Sequence, residues 1–457
     1  MTAKTLTLCR LPRVLVVALM IAHDAQAAPP ALPAGLESLG APSELVVQTR
    51  ATDEQEASTP WIENLSGFTE IRAGDYLHSH ASQQSLSLAE IRAQLHAEKS
   101  WETTTFNLTT DVIGDTLSES QEISLDQGEG WIDLREANFM WRASESMDVK
   151  AGRQILTWGT GDLLFINDLF PKDWNAFILG RDVEYLKAPS DAVRVSLFQP
   201  LLNLDLVVTP VFDADRIVDG RRVVFYNPTT GQVDGADRPL QTDLPEDAEW
   251  SLRAYRGFGA IEVALYAYDG FWKSPAGLNP GSDHATFPGL RVWGASVRLP
   301  LGPGLFNSEI GYYDSREDDH GDNPLVRNSE WRALAGYEQE LIPELTGGLQ
   351  YYVERMQHHD AYLASLAQGV TPSDPLRQVL TLRLTHLLMQ QRLKLSLFNF
   401  WSPSDDDGHL RINAHYAWSD HWSLDAGINH FYAHRPDTFF GQLEENSNAF
   451  VAARYGF

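Results

Sequence analysis

Most of the chain alternates between apolar and polar residues at every second position, in segments of about ten residues. Ile91, Ala93, Leu95 and Ala97, for example, alternate with charged or polar side chains. Because successive side chains of a β-strand point to opposite faces, a period of two predicts strands with one apolar and one polar face. Further clear cases are segments 261–267, 393–397, 410–416 and 422–428.

About 18 such segments follow one another from residue 66 to the C-terminus. The predicted strands are 66–77, 85–98, 100–112, 131–143, 146–157, 191–199, 202–212, 249–256, 258–269, 290–300, 304–316, 328–340, 344–356, 376–387, 390–401, 409–418, 421–433 and 446–457. Their links alternate between long segments, such as 158–190 and 213–248, and tight turns such as Gly257. Transmembrane barrels have even strand numbers, long external loops and short periplasmic turns. The pattern predicts an all-β chain: a single transmembrane antiparallel up-and-down β-barrel of 18 strands over residues 63–457, with 16 strands as the alternative.

The N-terminal part has the composition of an exported protein. A positively charged start, an apolar stretch at 14–22 and a small-x-small cleavage site at 25–27 predict a secretory signal peptide over residues 1–27. Its removal would take away Cys9, the only cysteine of the chain. Residues 28–62 are rich in Ala and Pro, then acidic, without periodicity, and predict a flexible periplasmic segment.

The last residues carry a pattern typical of outer-membrane barrels. Val451, Ala453, Tyr455 and Phe457 fall on one face of the last predicted strand, and Phe457 is the terminal residue. A terminal phenylalanine with apolar residues at alternate preceding positions resembles the signal that the barrel-assembly machinery reads. Tyr455 and Phe457 are therefore the candidate assembly signal, and the barrel-assembly machinery is an expected partner. The expected location is the bacterial outer membrane, as an integral protein.

Charge and aromatic content narrow the range of partners. The formal net charge of −27 argues against nucleic acid and against anionic membrane surfaces as partners. The 13 tryptophans, 15 tyrosines and 20 phenylalanines suit aromatic girdles at two membrane interfaces. Outer-membrane lipid and lipopolysaccharide are therefore the expected surroundings of the barrel.

One stretch, residues 131–189, resembles a known family in detail. The matching positions are 134–137 (LREA), 152–154 (GRQ), Trp158, Gly159, Asp162, 168–171 (DLFP), Asp173 and Trp174. They resemble a family of Gram-negative outer-membrane porin-like barrels and, more loosely, alginate-export channels. The resemblance implies an 18-stranded channel and leaves its substrate open.

The predicted loop 158–190 is too apolar to extend freely into water. We expect it to fold into the barrel lumen, where it would narrow the pore. The polar groups that it would present there are Asp162, Asp168, Asp173 and Arg181. In the alternative interpretation these residues only hold the loop against the wall, through partners such as Arg153 or Lys172. The two interpretations are compatible.

Basic residues recur on the polar face of several predicted strands. This lumen basic track comprises Arg253, Arg377, Arg383, Arg392, Lys394 and Arg411, and Arg298 lies on a similar face. Such a wall suits carboxylate or phosphate groups of a passing solute. A salt-bridge network that stiffens the wall fits the same residues equally well. Its acidic members would be Glu90, Glu262, Glu309, Glu330 and Glu354.

Other kinds of site find little support in the sequence. No Gly-x-Ser-x-Gly or nucleotide-binding loop is present, so we expect no enzyme, no catalytic residue and no cofactor. Histidine pairs lack a third ligand, and acidic loops such as 317–319 and 405–407 are expected to be solvated, with Ca²⁺ or Mg²⁺ binding as the alternative. The expected function is a porin or channel for passive passage of a small polar or anionic solute. Alternatives are a structural or assembly barrel, or a barrel-embedded lipid-modifying enzyme.

Overall fold

The computed structural model describes residues 64–117, 122–227, 230–368, 370 and 372–457, so the predicted segments 1–27 and 28–62 lie outside the described residues. The described chain forms one closed antiparallel barrel of 18 strands, which confirms the predicted fold and the higher of the two strand counts. The strands are β1 (Asn64–Tyr76), β2 (Leu86–Ser100), β3 (Thr104–Asp115), β4 (Ile132–Ser144), β5 (Met147–Ile155), β6 (Pro189–Phe198), β7 (Asn203–Thr209), β8 (Glu249–Phe258), β9 (Ile261–Phe271), β10 (Gly289–Leu301), β11 (Gly304–Ser315), β12 (Glu330–Ile342), β13 (Leu345–Met356), β14 (Leu376–Leu388), β15 (Leu393–Ser402), β16 (Asp407–Ala417), β17 (Trp422–Ala433) and β18 (Asn448–Gly456).

Short and long links alternate around the barrel. The eight links at one end are turns of two to four residues, and those at the other end include the long segments 156–188 and 210–248. These loops contain helices α1 (Trp174–Leu179) and α2 (His359–Ser365), the 3-10 turns Val183–Leu186 and Gly441–Asn446, and the short strands Phe225–Asn227, Gln232–Asp234, Thr242–Asp243, Gly277–Asn279 and His284–Thr286. Among the described residues, no helix is both long and apolar enough to cross a membrane.

The first and last strands close the barrel. β1 and β18 pair in antiparallel register from Phe68 opposite Gly456 to Tyr76 opposite Asn448. The backbones of Gly67 and Phe457 exchange two further hydrogen bonds of 3.0 Å each. The seam therefore leaves no open strand edge, and the terminal residue takes part in it.

Alternation along each strand separates the inside of the barrel from the outside. In β1, the inward Glu70 and Arg72 are each 3% exposed, whereas Ile71 between them is 61% exposed. Leu265, Leu349 and Ile412 are likewise exposed on the outer face of their strands. Apolar side chains facing outward and charged ones facing inward are the reverse of a soluble protein and are typical of a barrel embedded in lipid.

Aromatic side chains border this outer apolar band at both ends. Exposed tryptophans near the long-loop ends of their strands are Trp250, Trp293, Trp331 and Trp401. Exposed aromatic residues near the short-turn ends are Trp101, Trp141, Trp418, Trp422, Tyr455 and Phe457. Two such belts are the expected signature of the two membrane interfaces.

Phe457 has two roles that can be tested separately: its backbone closes the barrel, and its ring is part of the candidate assembly signal. Deleting this residue removes two backbone hydrogen bonds, so we expect the purified barrel to lose about 2 kcal/mol in urea unfolding, at roughly 1 kcal/mol per bond. Phe457→Ala keeps both bonds and is expected to unfold close to wild type. If the ring is part of an assembly signal, Phe457→Ala will still lower the amount of folded, heat-modifiable barrel in the outer membrane. Equal amounts of variant and wild-type barrel would contradict that role.

Candidate functional site

The link between β5 and β6, residues 156–188 and here called the inner loop, packs against inward-facing side chains of the wall. Its first turn is held by Glu309, a buried residue of β11. The Glu309 carboxylate accepts hydrogen bonds from the backbone N–H groups of Gly161 (2.8 Å) and Asn167 (3.2 Å) and from the Asn167 side chain (2.8 Å). On β10, a Cβ at Gly294 would lie 1.7 Å from Asn167 Oδ1. The Glu309 carboxylate therefore binds the loop to the wall, and the missing side chain at Gly294 leaves room for Asn167.

The short helix α1 forms within the inner loop. Asp173 begins it, because its Oδ1 accepts a hydrogen bond of 2.8 Å from a backbone N–H of the first turn. Gly180 ends it with a φ of +82°, the left-handed region that favours glycine. The buried Phe177 places its ring 5.3 Å from that of His409 on β16. The helix is thus fixed at both ends and packed against the barrel wall.

Three strands hold the chain that follows α1. Arg72 of β1 donates a hydrogen bond of 2.7 Å to the backbone oxygen of Gly180. Arg411 of β16 donates one of 2.9 Å to the backbone oxygen of Arg181. The Arg181 guanidinium forms an ion pair of 2.8 Å with Glu90 of β2. Arg181, a predicted constriction residue, therefore reaches the wall.

Asp162, another predicted constriction residue, contacts a different part of the wall. Its Oδ2 lies 3.0 Å from Nε of Arg383 on β14, and its backbone N–H donates a 2.8 Å hydrogen bond to Gln350 of β13. Arg383 also pairs with Glu338 of β12. Burial raises the pKa of the Asp162 carboxyl to about 6, although the Arg383 guanidinium acts in the opposite direction.

The other two predicted constriction residues act inside the loop. Asp168 is buried, lies 3.0 Å from Nζ of Lys172 and accepts a 2.8 Å hydrogen bond from Thr157. Asp173 is buried at the start of α1 and lies 3.4 Å from the guanidinium of Arg216. The structure therefore places both carboxylates within the loop rather than on a pore surface. The four residues are not brought together at one site.

Three members of the predicted basic track form ion pairs. Arg253 lies 2.9 Å from Glu262, and Arg377 lies 2.8 Å from Asp405. Arg383 is shared between two carboxylates, as described above. These three arginines match the salt-bridge interpretation, although only Glu262 among their partners belongs to the expected acidic set.

The remaining three members occupy two different places. Arg392 is an exposed residue of the turn before β15 and donates a 3.0 Å hydrogen bond to the backbone oxygen of Ala417 in the next turn. Lys394 and Arg411 face inward on β15 and β16. Among the described residues, no carboxylate lies within ion-pair distance of either, and Nη1 of Arg411 has no hydrogen-bond partner. In the described part of the chain these two members of the track form no ion pair, although the Asp182 carboxylate acts electrostatically on both and Asp425 acts on Lys394. Arg411 is buried against the inner loop, with 7% of its surface exposed.

Charged residues that the sequence analysis did not single out complete this region. Asp182, in the inner loop, has a side chain that is 43% exposed and lies 3.5 Å from Nη2 of Arg454 on β18. Arg454 also lies 3.0 Å from Glu70 of β1, and the exposed Glu184 follows in the loop. Alternation places Arg454 on the polar face of the last strand. The sequence analysis considered only the apolar face of this strand and therefore missed Arg454. Asp182 directly follows Arg181 but matches no motif.

Acidic loop residues have protein partners of their own. The Asp318 carboxylate accepts hydrogen bonds from the backbone N–H groups of Asp322 (3.1 Å) and Asn323 (3.3 Å). Asp407 accepts one of 2.7 Å from the backbone of Phe440. In the part of the chain that the structure describes, no group of three or more His, Cys, Asp or Glu residues is placed to hold a metal ion.

Comparisons with known proteins agree with the fold. No protein-family model and no curated protein matches the chain. Among solved structures, OccD3 (OpdP) of Pseudomonas aeruginosa matches with a TM-score of 0.50 and 11% identity over 87% of this chain and 92% of its own. OccAB1 of Acinetobacter baumannii matches with a TM-score of 0.50 and 11% identity over 88% and 99%. A porin mutant of Rhodopseudomonas blastica matches with a TM-score of 0.39 and 9% identity over 86% and 99%.

At 11% identity, the two Occ proteins bear on the fold and not on the residues of the site. Both are outer-membrane channels and neither is an enzyme. Their matches cover 87% and 88% of this chain. The chain therefore has the transmembrane β-barrel fold of these outer-membrane channels.

Proposed function

We propose that this protein is an outer-membrane channel that lets small polar solutes pass down their concentration gradient and that favours anions. The observation that carries the proposal is the pair Lys394 and Arg411, two inward cations without a carboxylate partner among the described residues. Several other inward cations form ion pairs, so we expect these two to bias the lumen toward anions, partly offset by Asp182 and Glu184 of the inner loop.

The inner loop supports the idea of a constriction in this channel. It is hydrogen-bonded to inward side chains of strands as far apart as β1, β11 and β16, so it occupies part of the lumen cross-section. Asp182 and Glu184 project from the loop, while Lys394 and Arg411 belong to the wall. A solute that passes between loop and wall would meet acidic groups on one side and basic groups on the other.

The outer surface supports a location in the outer membrane. The apolar band and its two aromatic belts match a lipid bilayer with two interfaces. We infer that outer-membrane lipid and lipopolysaccharide surround the band. Export by a signal peptide and insertion by the barrel-assembly machinery, through Tyr455 and Phe457, complete the proposal.

A flux assay tests this function. Purified barrel in liposomes is expected to admit small organic carboxylates faster than amines of the same size, followed by the rate of liposome swelling. Liposomes with heat-unfolded protein provide the control for leakage. Swelling no faster than in this control would refute the channel, and faster entry of amines would refute the anion preference.

Asp162 gives the proposed selectivity a pH dependence. Its pKa of about 6 means that the carboxyl is mostly ionised at pH 7.5 and mostly neutral at pH 5. Protonation removes one negative charge beside Arg383, so we expect the anion-to-cation permeability ratio to rise about threefold on acidification. This is the effect of one charge at roughly 12 Å in water, which acts with opposite sign on anion and cation. Reversal potentials across a salt gradient measure this ratio. Asp162→Asn should abolish the response, and an unchanged response in this variant would assign it to another group.

A further inference from the structure

A row of charged side chains, here called the charged row, crosses the outer face of the barrel at its long-loop end. Asp269 of β9, Arg291 of β10 and Asp314 of β11 are direct cross-strand neighbours. Arg291 lies between Leu290 and Val292, which face inward and are 0% and 1% exposed, so its side chain faces outward. On the lipid face of a barrel, an arginine is costly at the middle of the membrane but costs little near an interface. The position of the charged row therefore suits contact with lipid headgroups.

An aromatic row lies next to the charged row, toward the middle of the membrane. Trp293, Tyr312 and Trp331 are cross-strand neighbours on β10, β11 and β12. The ring of Tyr312 is stacked at 6.2 Å on that of Trp293 and lies 4.8 Å from that of Trp331. Tryptophan and tyrosine concentrate at the boundary between acyl chains and headgroups. Because Arg291 is two residues nearer the long loop than Trp293, it lies on the headgroup side of this boundary.

Asp269 holds two guanidinium groups at this boundary. Its Oδ2 accepts a 2.7 Å hydrogen bond from Nε of Arg291, and its Oδ1 accepts one of 2.7 Å from Nη1 of Arg316, which directly follows β11. The two arginine side chains nevertheless remain 48% and 38% exposed. A guanidinium carries five N–H donors in a rigid fork that matches phosphate oxygens. One carboxylate therefore holds both groups in place and leaves donors for a further acceptor.

The charge of this patch favours an anionic partner, although the whole chain is acidic. The net charge of −27 disfavours anionic surfaces in general, so such a contact must be local. In the described part of this face, Arg355 beside Trp331 brings the arginines to three, against the two aspartates of the charged row. Glu317, in the loop above, accepts a 3.0 Å hydrogen bond from the backbone N–H of Gly289. The patch is therefore slightly cationic at the level of the headgroups.

We propose that Arg291 and Arg316 bind a phosphate group of lipopolysaccharide, with the aromatic row against its acyl chains. The long loops of an outer-membrane barrel are external, so this end of the sheet meets the outer leaflet, where lipopolysaccharide carries phosphate at the headgroup level. Guanidinium groups bind phosphate through short, charge-assisted hydrogen bonds. Asp269 is the positioning residue of the site. The site rests on the proposed outer-membrane location and is independent of conduction.

Titration of the purified barrel in detergent with lipid A, the phosphorylated anchor of lipopolysaccharide, tests this site by native mass spectrometry. Each interfacial arginine contributes about fivefold to the affinity for an anionic lipid, so we expect Arg291→Gln with Arg316→Gln to weaken lipid A binding about thirtyfold. Dephosphorylated lipid A should bind the wild type about as weakly as lipid A binds the double variant. Arg256→Gln removes an outward arginine at the short-turn end of β8 and should leave the affinity unchanged.

Equal affinity of the wild type and the double variant for lipid A would overturn the site, as would equal affinity of the wild type for both forms of the lipid. Inorganic phosphate at the concentration of the lipid should not displace lipid A, and displacement would show a site for the free ion instead. If the double variant fails to fold, Arg316→Gln alone should weaken binding about fivefold, and an unchanged affinity would overturn the site.

The proposed location and the proposed channel fail in different measurements. A wild-type barrel that is absent from the outer-membrane fraction of cells would refute the location, and one that conducts no current would refute the channel. The lipid A titration decides the phosphate site in both cases, because it needs only the purified, folded barrel.

Discussion

Replacing Lys394 and Arg411 by glutamine together is expected to lower the anion-to-cation permeability ratio about tenfold. Each replacement removes one positive charge from the lumenal wall. At roughly 12 Å in water, a unit charge changes the energy difference between a passing anion and a passing cation by about 0.7 kcal/mol, because it acts on the two with opposite sign. This is about threefold in their permeability ratio. The effect is large because neither cation forms an ion pair among the described residues, and because its loss leaves the negative charge of Asp182 in the same region.

The control for this variant lies in the same predicted track. Arg392→Gln removes an identical charge from the exposed turn before β15, outside the lumenal wall, and should leave reversal potentials almost unchanged. Lys394→Gln alone should give about a threefold change. It leaves intact the hydrogen bonds that hold the inner loop, including the one from Arg411 to Arg181. A shift of equal size in Arg392→Gln, or none in the double variant, would contradict the assignment of selectivity to the wall.

Glu309→Gln is expected to release the start of the inner loop and to raise the conductance and the current noise of the open channel. The carboxylate accepts hydrogen bonds from several donors of the loop, including those of Gly161 and Asn167. The glutamine amide keeps one acceptor oxygen, but its NH₂ group is a donor and cannot accept hydrogen bonds from the loop N–H groups. A loss of about 3 kcal/mol, typical of a charged acceptor with several donors, shifts the balance between held and released loop by roughly two orders of magnitude.

Glu262→Gln is the matched variant for Glu309→Gln. It removes an equal charge from another inward position, on β9, where the carboxylate pairs with Arg253 and not with the inner loop. Single-channel recordings and hydrogen exchange of residues 160–167 distinguish the two. Faster exchange and noisier currents in Glu309→Gln alone are expected. The same changes in both variants would show that lost lumenal charge, and not the loop anchor, is responsible.

Local alternation predicts the barrel, because the lipid imposes an apolar outer face on every strand. Inward and outward positions in β1, such as Glu70 and Ile71, follow directly from the period of two. The strand count and the pairing of β18 with β1 follow as well, because long and short links alternate along the sequence. These features depend only on neighbours in the chain or in the adjacent strand.

The candidate site is less predictable, because it depends on which charges meet across the lumen. Alternation places Arg383 and Lys394 on inward faces equally well, yet only Arg383 meets a carboxylate of the inner loop. Asp168 and Asp162 are both acidic residues of that loop, but Lys172, four residues away, pairs with Asp168. Arg392 differs from Lys394 by two positions, and the end of the strand falls between them. Such outcomes follow from the path of the loop, which no local pattern encodes.

Single-channel recording of the wild-type barrel in planar bilayers is the most direct test of the channel and its charged wall. Purified protein is expected to insert in discrete conductance steps, and in a salt gradient the reversal potential is expected to have the sign of an anion-selective pore. A barrel that inserts, verified by heat-modifiable migration of the recovered protein, but conducts no current would contradict the channel. A reversal potential of the opposite sign would contradict the role of Lys394 and Arg411.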